Sequence, residues 1–443
     1  MRHPLIDHPF IVMPTHTEKT TRISSQLKNR TSTAPLSLKK KAVSHVVPKP
    51  GDKIHTDDRL DVGDLNEILS IDPINQICVA EPGVTFTDLV KATLKHGLVP
   101  ITVPELKTIT IGGAVAGCSI ESMSYKYGGF HDSCLGYEVI TAKGDILTCT
   151  PDNENKLIFQ MMHGTFGTLG IITKLTFKLT PAKPFVKVEY HKFDTLDAYL
   201  KATWDHYQKR DFDFMDGIIH SPTELVLSLG NFVDEAPYAH NYDWMRVYYV
   251  STKERKEDYL KTHDYFFRYD KGVTNVTPRS FLGRLLFGWF VNSSNVLKFA
   301  NKLHKLIPAS QIPVTLDTFI PFHKMAEFMD WYVKEVNFFP LWYVPYKPTH
   351  TYEWINDDYA KRSPHELFLD IAVYGLKKRD DKDYYKLLED KLTELGALKT
   401  LISTNRYTKE DFWKIWNKRN FDEVKRITDP GNVLRDLYDK TCT

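Results

Sequence analysis

The fold is decided by residues 99–130, VPITVPELKTITIGGAVAGCSIESMSYKYGGF, read together with residues 163–177, HGTFGTLGIITKLTF. In the first stretch an apolar, strand-like run ends at Gly112-Gly113. The small residues Ala114, Ala116, Gly117 and Ser119 follow. Without bulky side chains, main chain can lie directly against a ligand, and amide N–H groups exposed on such a loop form a concave site for phosphate oxygens. In the second stretch Gly164, Gly167 and Gly170 precede the β-branched run Ile171-Ile172-Thr173. Two glycine-rich bends around a compact α+β segment predict a large diphosphate-containing cofactor.

The spacing of these glycines excludes the common nucleotide frames. Gly164, Gly167 and Gly170 stand three apart and follow a helical-looking segment, NKLIFQMMH. A Rossmann loop needs a strand before it and a helix after it. No G-x-x-x-x-G-K-[ST] motif occurs.

The two stretches resemble the flavoprotein family typified by vanillyl-alcohol oxidase, whose FAD domain is called PCMH-type. TIGGAVAG is similar to that family's T-x-G-G loop, and GTLGIIT to its G-x-x-G-I-[IV]-T strand. Within the family the chain looks closest to the delta-24-sterol reductase branch, through PELKTITIGGAVAGCSIESMSYKYG, LFGW, FFPLWYVPYK and EDFWKIWNK, in that order along almost the whole chain. The resemblance implies an α+β fold. Its parts would be a two-subdomain FAD-binding domain over residues 1–181, a substrate or cap domain over 182–410, and a C-terminal segment, 411–443, returning to the FAD domain.

Size and composition agree with this. A chain of 443 residues has room for two cores, and 42% hydrophobic with 26% charged residues is ordinary for a folded globular protein. The formal net charge of +2 gives no field to recruit nucleic acid. An aromatic share of 13% suits an apolar ligand cavity or a plain core. Five scattered cysteines fit neither a disulfide framework nor a zinc site and favour a reducing, cytoplasmic setting. The histidines nowhere take metal-ligand spacing, so no metal is expected. The N-terminus lacks a signal-peptide core and no run is long enough to span a bilayer.

Along the chain, residues 1–34 read as a lead-in and first helix. Residues 85–96 read as a helix capped by Thr85, with Asp88 three residues on and Gly97 closing it. A hairpin turns at Lys143-Gly144-Asp145, and the pattern changes after Pro181-Ala182-Lys183-Pro184, the best domain boundary. Alternation puts Trp342 and Tyr343 on opposite faces of one strand. The apolar segment within 281–299 is a core helix, a lid over the substrate, or a patch for peripheral membrane contact.

Site residues follow from the resemblance. Lys39, Lys40, Lys41 and Ser44 match the first diphosphate loop, where the family's R-G-G-G-H glycines are missing; with His45 alone there, FAD is expected to be held non-covalently. Thr110, Gly112, Gly113, Gly117, Ser119, Ile120 and Glu121 lie along the diphosphate and flavin edge, with Ser133, Gly167, Gly170 and Ile171 completing the cofactor set. The activity implied is NAD(P)H-dependent reduction of a carbon–carbon double bond in an apolar, sterol or isoprenoid-like small molecule. An unactivated alkene needs a proton donor, and the candidates are Tyr374, Tyr407, His131 and Tyr346. The alternatives are a flavin oxidase or dehydrogenase of an alcohol or sugar, and a relative that binds without cofactor.

Overall fold

A Thr-x-x-Glu capping box opens the first helix, α1 (His16–Lys28), with Thr15 and Glu18 each satisfying the other's backbone amide. His16 reaches Glu81 at 2.8 Å and Glu138 at 2.9 Å, and the buried Lys19 pairs with Glu81 at 3.0 Å. These contacts hold α1 against the first sheet. The computed structural model describes residues 14–42, 57–243, 246–270, 313–362 and 367–442. Ser44, His45 and the 281–299 segment lie outside the described residues.

Among the described residues the first half contains two sheets. β1 (Leu36–Lys39) and β2 (Asp58–Asp61) form a parallel pair. A mixed-length antiparallel sheet follows, built from β3 (Ile68–Asp72), β4 (Ile77–Ala80), β5 (Leu98–Pro100), β6 (Cys134–Ile140), β7 (Ile146–Cys149) and β8 (Ile171–Pro181). Its order is β3-β4-β8-β6-β7, with β5 also pairing to β8. α2 (Phe86–Thr93) starts at Thr85, whose side chain accepts from the Asp88 amide, and the chain leaves it through Gly97 at φ 67°, as its cap residues predict. The hairpin between β6 and β7 turns through Gly144 at φ 87°.

Three residues after β8 the chain enters a different sheet. Its strands are β9 (Phe185–Phe193), β10 (Phe214–Ser221), β11 (Glu224–Val233), β12 (Glu257–Lys261), β13 (Val314–Pro321), β14 (Leu341–Tyr346), β15 (Phe368–Leu376) and β16 (Leu398–Lys399). They run in the order β12-β9-β11-β10-β14-β15-β13-β16. The helices Leu196–Lys209, Met325–Glu335 and Tyr384–Glu394 cover one face, where Tyr199, Phe328 and Leu388 join Tyr343, Ile371 and Val373 in one core. Trp342, Val344, Tyr346 and Ala372 point the other way, into the core shared with the first sheet. Strand alternation thus sends one set of side chains to an outer helical layer and the next to the seam between the sheets. The whole is a mixed α+β arrangement with several sheets.

The end of the chain returns to the first half. The helix Lys418–Thr428 leads into Asp429, whose carboxylate accepts the Val433 and Leu434 amides at 2.8 Å, and Asn432 takes φ 50°. Leu434 then bridges Leu36.

One local expectation is corrected. The run before Gly112 is not a strand: Thr110 forms a single bridge with Thr85 and then caps a helix, α3 (Ile111–Gly117). Residues 109–111 pair only briefly, with residues 84–86, among the described residues, and the Thr110 hydroxyl then supplies the N-cap. Among the described residues no helix is long and apolar enough to cross a membrane.

Candidate functional site

α3 shows how small residues open a surface. Ile111, Ala114 and Val115 are buried, while Gly112, Gly113, Ala116, Gly117, Cys118 and Ser119 form a partly exposed stripe. Cys118 ends the helix in the left-handed region at φ 53°. The second glycine bend then docks on this end: the Gly164 amide donates to the Val115 carbonyl at 3.3 Å and the Phe166 amide to the Ala116 carbonyl at 3.2 Å. Gly164 and Gly167 have φ of 66° and 70°, where a side chain is strained. A Cβ on Gly164 would also stand 3.4 Å from Cys118 Sγ and 3.5 Å from the Trp354 ring. The two bends are therefore one hydrogen-bonded unit, with the stripe along its edge.

The reason for Gly112 differs from the expected one. A Cβ there would lie 2.5 Å from Pro82 Cβ and 3.0 Å from its carbonyl. The amides of Ile111, Gly112 and Ala114 already donate to Val84, Pro82 and Thr110 carbonyls, and that of Gly113 to Thr110 Oγ1. Exposed amides at Gly112-Gly113, expected from the sequence, are thus not found, because the neighbouring loops take them. Among the described residues no acceptor meets the amides of Ile120 and Gly167.

The remaining cofactor candidates divide. Lys39, Lys40 and Lys41 are exposed at the end of β1, with Lys39 paired to Asp61 at 2.8 Å. Main-chain bonds from Lys39 to Val62, Leu65 to Gly83 and Pro82 to Gly112 carry that end toward α3. Ser119 stays on the stripe, and Ile120 is buried beside it. Ser133 hydrogen-bonds within its own turn to the Phe130 carbonyl at 2.6 Å. Ile171 turns into a core with Ile23, Leu36, Ile140 and Leu434, so its side chain faces away from the stripe. Gly170 allows close packing, since a Cβ would meet Val139 Cγ1 at 2.7 Å.

Glu121 sits in a buried ion network. Arg268 lies 2.9 Å from both Glu121 and Asp216. Tyr265, Tyr269 and Tyr248 surround its guanidinium at 4.1, 4.8 and 5.3 Å. Tyr269 and the Trp342 indole both donate to Asp216 Oδ2, at 2.7 and 3.1 Å. Burial opposes the arginine's charge, but the two carboxylates outweigh it and hold the group protonated. This network ties the loop after α3 to the inner face of the second sheet.

Further along that face is an acidic group. The Tyr374 hydroxyl donates to Asp317 Oδ1, Thr400 donates to its other oxygen at 3.4 Å, and Asp370 accepts the Thr318 amide at 3.0 Å. Burial raises the Asp317 and Asp370 carboxyls. It also pushes Glu105, from the loop before α3, up to about 8, with Asp317 and Glu121 adding to the effect. Tyr407 lies apart from this group: it packs on Phe412 and Trp416 beside the Lys399–Glu389 pair.

The third cluster joins the first half to the loop after β14. Tyr346 and Tyr352 share a hydroxyl–hydroxyl hydrogen bond, and Tyr352 donates to Asp132 Oδ2 at 2.8 Å. His131, one of the proton-donor candidates, is 1% exposed. Its ring lies 5.1 Å from His163 and 5.2 Å from Tyr352, and Tyr352 stacks on Trp354. Burial keeps both histidines below the usual imidazole range, hence neutral at pH 7. Both His131 ring nitrogens, His163 Nδ1 and Trp354 Nε1 are buried without a hydrogen-bond partner. Such atoms are costly unless satisfied, and they sit beside Gly164. A glycine stripe with unmatched polar atoms at its end fits a large, planar, polar group such as the flavin of FAD.

Sequence reasoning missed Arg268, Asp216, Glu105, Asp317, Asp370, Tyr352 and Trp354. Each reaches the seam by tertiary folding, and only the YEW run at 352–354 and the PEL run at 104–106 carried a local sign.

Known proteins are similar to this chain in sequence. The FAD binding domain family model matches residues 51–150. The human delta(24)-sterol reductase is 26% identical over 400 residues, covering 85% of this chain and 76% of the reductase. The Caenorhabditis elegans delta(24)-sterol reductase homolog is 25% identical over 85% of this chain and 78% of its own length. The reductase of Pisum sativum is 24% identical over 86% and 76%. The chain thus carries a PCMH-type FAD-binding domain and is a distant relative of the delta(24)-sterol reductases.

Proposed function

We propose that this FAD-binding oxidoreductase is an NAD(P)H-dependent reductase of a carbon–carbon double bond in an apolar, sterol or isoprenoid-like molecule. When bound, FAD would supply hydride chemistry. Ser119, the open amides of Ile120 and Gly167, and the unmatched nitrogens of His131, His163 and Trp354 would hold it along the stripe. The observation that carries the reading is the cluster of buried Glu105, Asp317 and Asp370 with Tyr374 at the seam. Glu105 and Asp370 are held toward their protonated forms by burial, beside Asp317, raised to about 6, and the Tyr374 hydroxyl that donates to it. Groups in that state give protons, which alkene reduction requires, and are poor bases for oxidising an alcohol. Trp342, Phe319 and Ala372 supply apolar wall on the same face. The names of the relatives point the same way.

The test is direct. FAD-loaded protein, reduced anaerobically with NADPH, is mixed with a sterol bearing a side-chain double bond; reoxidation of the flavin with formation of the saturated sterol is expected. Reoxidation by oxygen alone, with turnover of alcohols, would overturn the reading. That second reading has one observation in its favour: His131 is a neutral imidazole with both nitrogens free of hydrogen bonds, as a base would be.

A further inference from the structure

We propose that Tyr346 donates the proton in this reaction and that Tyr352, Asp132, Thr349 and His350 renew it from solvent. The inference rests on the reductase reading. It starts from a continuous set of hydrogen bonds. The Tyr346 and Tyr352 hydroxyls bond to one another, and Tyr352 donates to Asp132 Oδ2 at 2.8 Å. The other oxygen of Asp132 accepts from Thr349 Oγ1 at 2.5 Å, and that hydroxyl lies 2.9 Å from His350 Nδ1. The inner end is 7% exposed and the outer end, the His350 side chain, 39%. Tyr346 shares its strand face with Trp342, at the seam.

A plain structural tie would need one or two of these bonds. A chain of five groups, all able to both give and receive a proton, running from solvent to a buried phenol, does more. The inner phenols cannot stay ionised, since burial and the Asp132 charge hold both well above the usual phenol range. A phenolate left at Tyr346 must therefore be reprotonated at once. At the outer end Glu353, and then Asp132, raise the His350 imidazole despite burial. His131 and His163 stand on the inner side of Asp132 and stay neutral.

The step balances as follows. Bound, NAD(P)H-reduced FAD would supply the electron pair and one hydrogen to one olefinic carbon, and Tyr346 gives its proton to the other. The π bond breaks and two C–H bonds form. Tyr346 takes the Tyr352 proton, protonated His350 passes one through the Thr349 hydroxyl to the Asp132 carboxylate, and the carboxylic acid so formed gives it to Tyr352. Water reprotonates His350.

The test compares wild type with His350→Gln and Tyr352→Phe, each loaded with FAD. NADPH-driven flavin reduction is expected to be equal in all three. The limiting rate of flavin reoxidation at saturating Δ24-sterol is expected to fall by about tenfold or more in both variants. In wild type that rate falls as pH rises through the His350 value, and in His350→Gln this dependence is lost. Added imidazole is expected to restore His350→Gln and leave Tyr352→Phe slow. If Tyr352→Phe does not fold, His350→Gln with imidazole decides alone, because that side chain is at the surface. Wild-type limiting rates in the variants, or a change confined to the half-saturating sterol concentration, would overturn the relay and leave the reductase reading standing. A wild-type protein that is reduced by NADPH but never reoxidised by the sterol would overturn both.

Discussion

Arg268 holds two carboxylates from different parts of the chain, Glu121 and Asp216, in a fully buried network. Removing one member of such a network leaves uncompensated buried charge, so Arg268→Met is expected to cost about 3–5 kcal/mol in chemical denaturation. Wild-type stability would show that the pairing carries nothing. Glu105 gives a pH signature of opposite origin. In the folded chain its carboxyl keeps its proton up to about 8, against an ordinary 4.5. Stability from a raised carboxyl is complete below its unfolded value and is lost as pH rises toward the folded one. Glu105→Gln, which cannot ionise, should melt close to wild type at about pH 4 and several degrees above it at about pH 9. Identical melting at both would contradict the burial of that carboxyl. Little of this was legible beforehand. The sequence offers Glu121 and His131 as residues of interest, but their burial depends on partners more than a hundred positions away, which no local pattern encodes.

α2 and α3 differ in how much their own residues determine. The helix after Thr85 has its cap, amphipathic face and closing glycine within one short run, so it is readable without tertiary information. α3 has only 7 residues, three of them glycine, and is too short and too weak to stand alone. It exists because Thr110 caps it and Pro82 and Val84 take its first amides. That is why 109–111 reads as strand and folds as helix. Gly112→Ala would push a Cβ to 2.5 Å from Pro82 Cβ and 3.0 Å from its carbonyl, and a proline ring cannot swing aside. A loss of about 1–3 kcal/mol and weakened FAD retention are expected. Gly167→Ala, at φ 70° and free of close neighbours, should cost only about 1 kcal/mol, the left-handed penalty. Denaturant midpoints with flavin titration would separate the two, and a milder effect at Gly112 than at Gly167 would contradict the packing argument.

Across the whole molecule the second bend is fixed from behind by the returning C-terminus. Lys440 Nζ donates to the Phe166 carbonyl at 2.7 Å, and Lys425 Nζ to the Thr168 carbonyl at 2.9 Å. The switch of pattern after Pro181 is legible in the sequence. The order of the eight strands beyond it is not, because antiparallel pairing between distant segments leaves no periodic trace. The account stands on the joined bends binding FAD, and the most direct measurement is an FAD titration of purified, flavin-stripped protein, read by the visible flavin spectrum after gel filtration and by thermal shift. Wild type is expected to retain about one FAD per chain and to melt higher with it, while Gly112→Ala retains less. No retained flavin, with no change in melting at saturating FAD, would contradict the central claim.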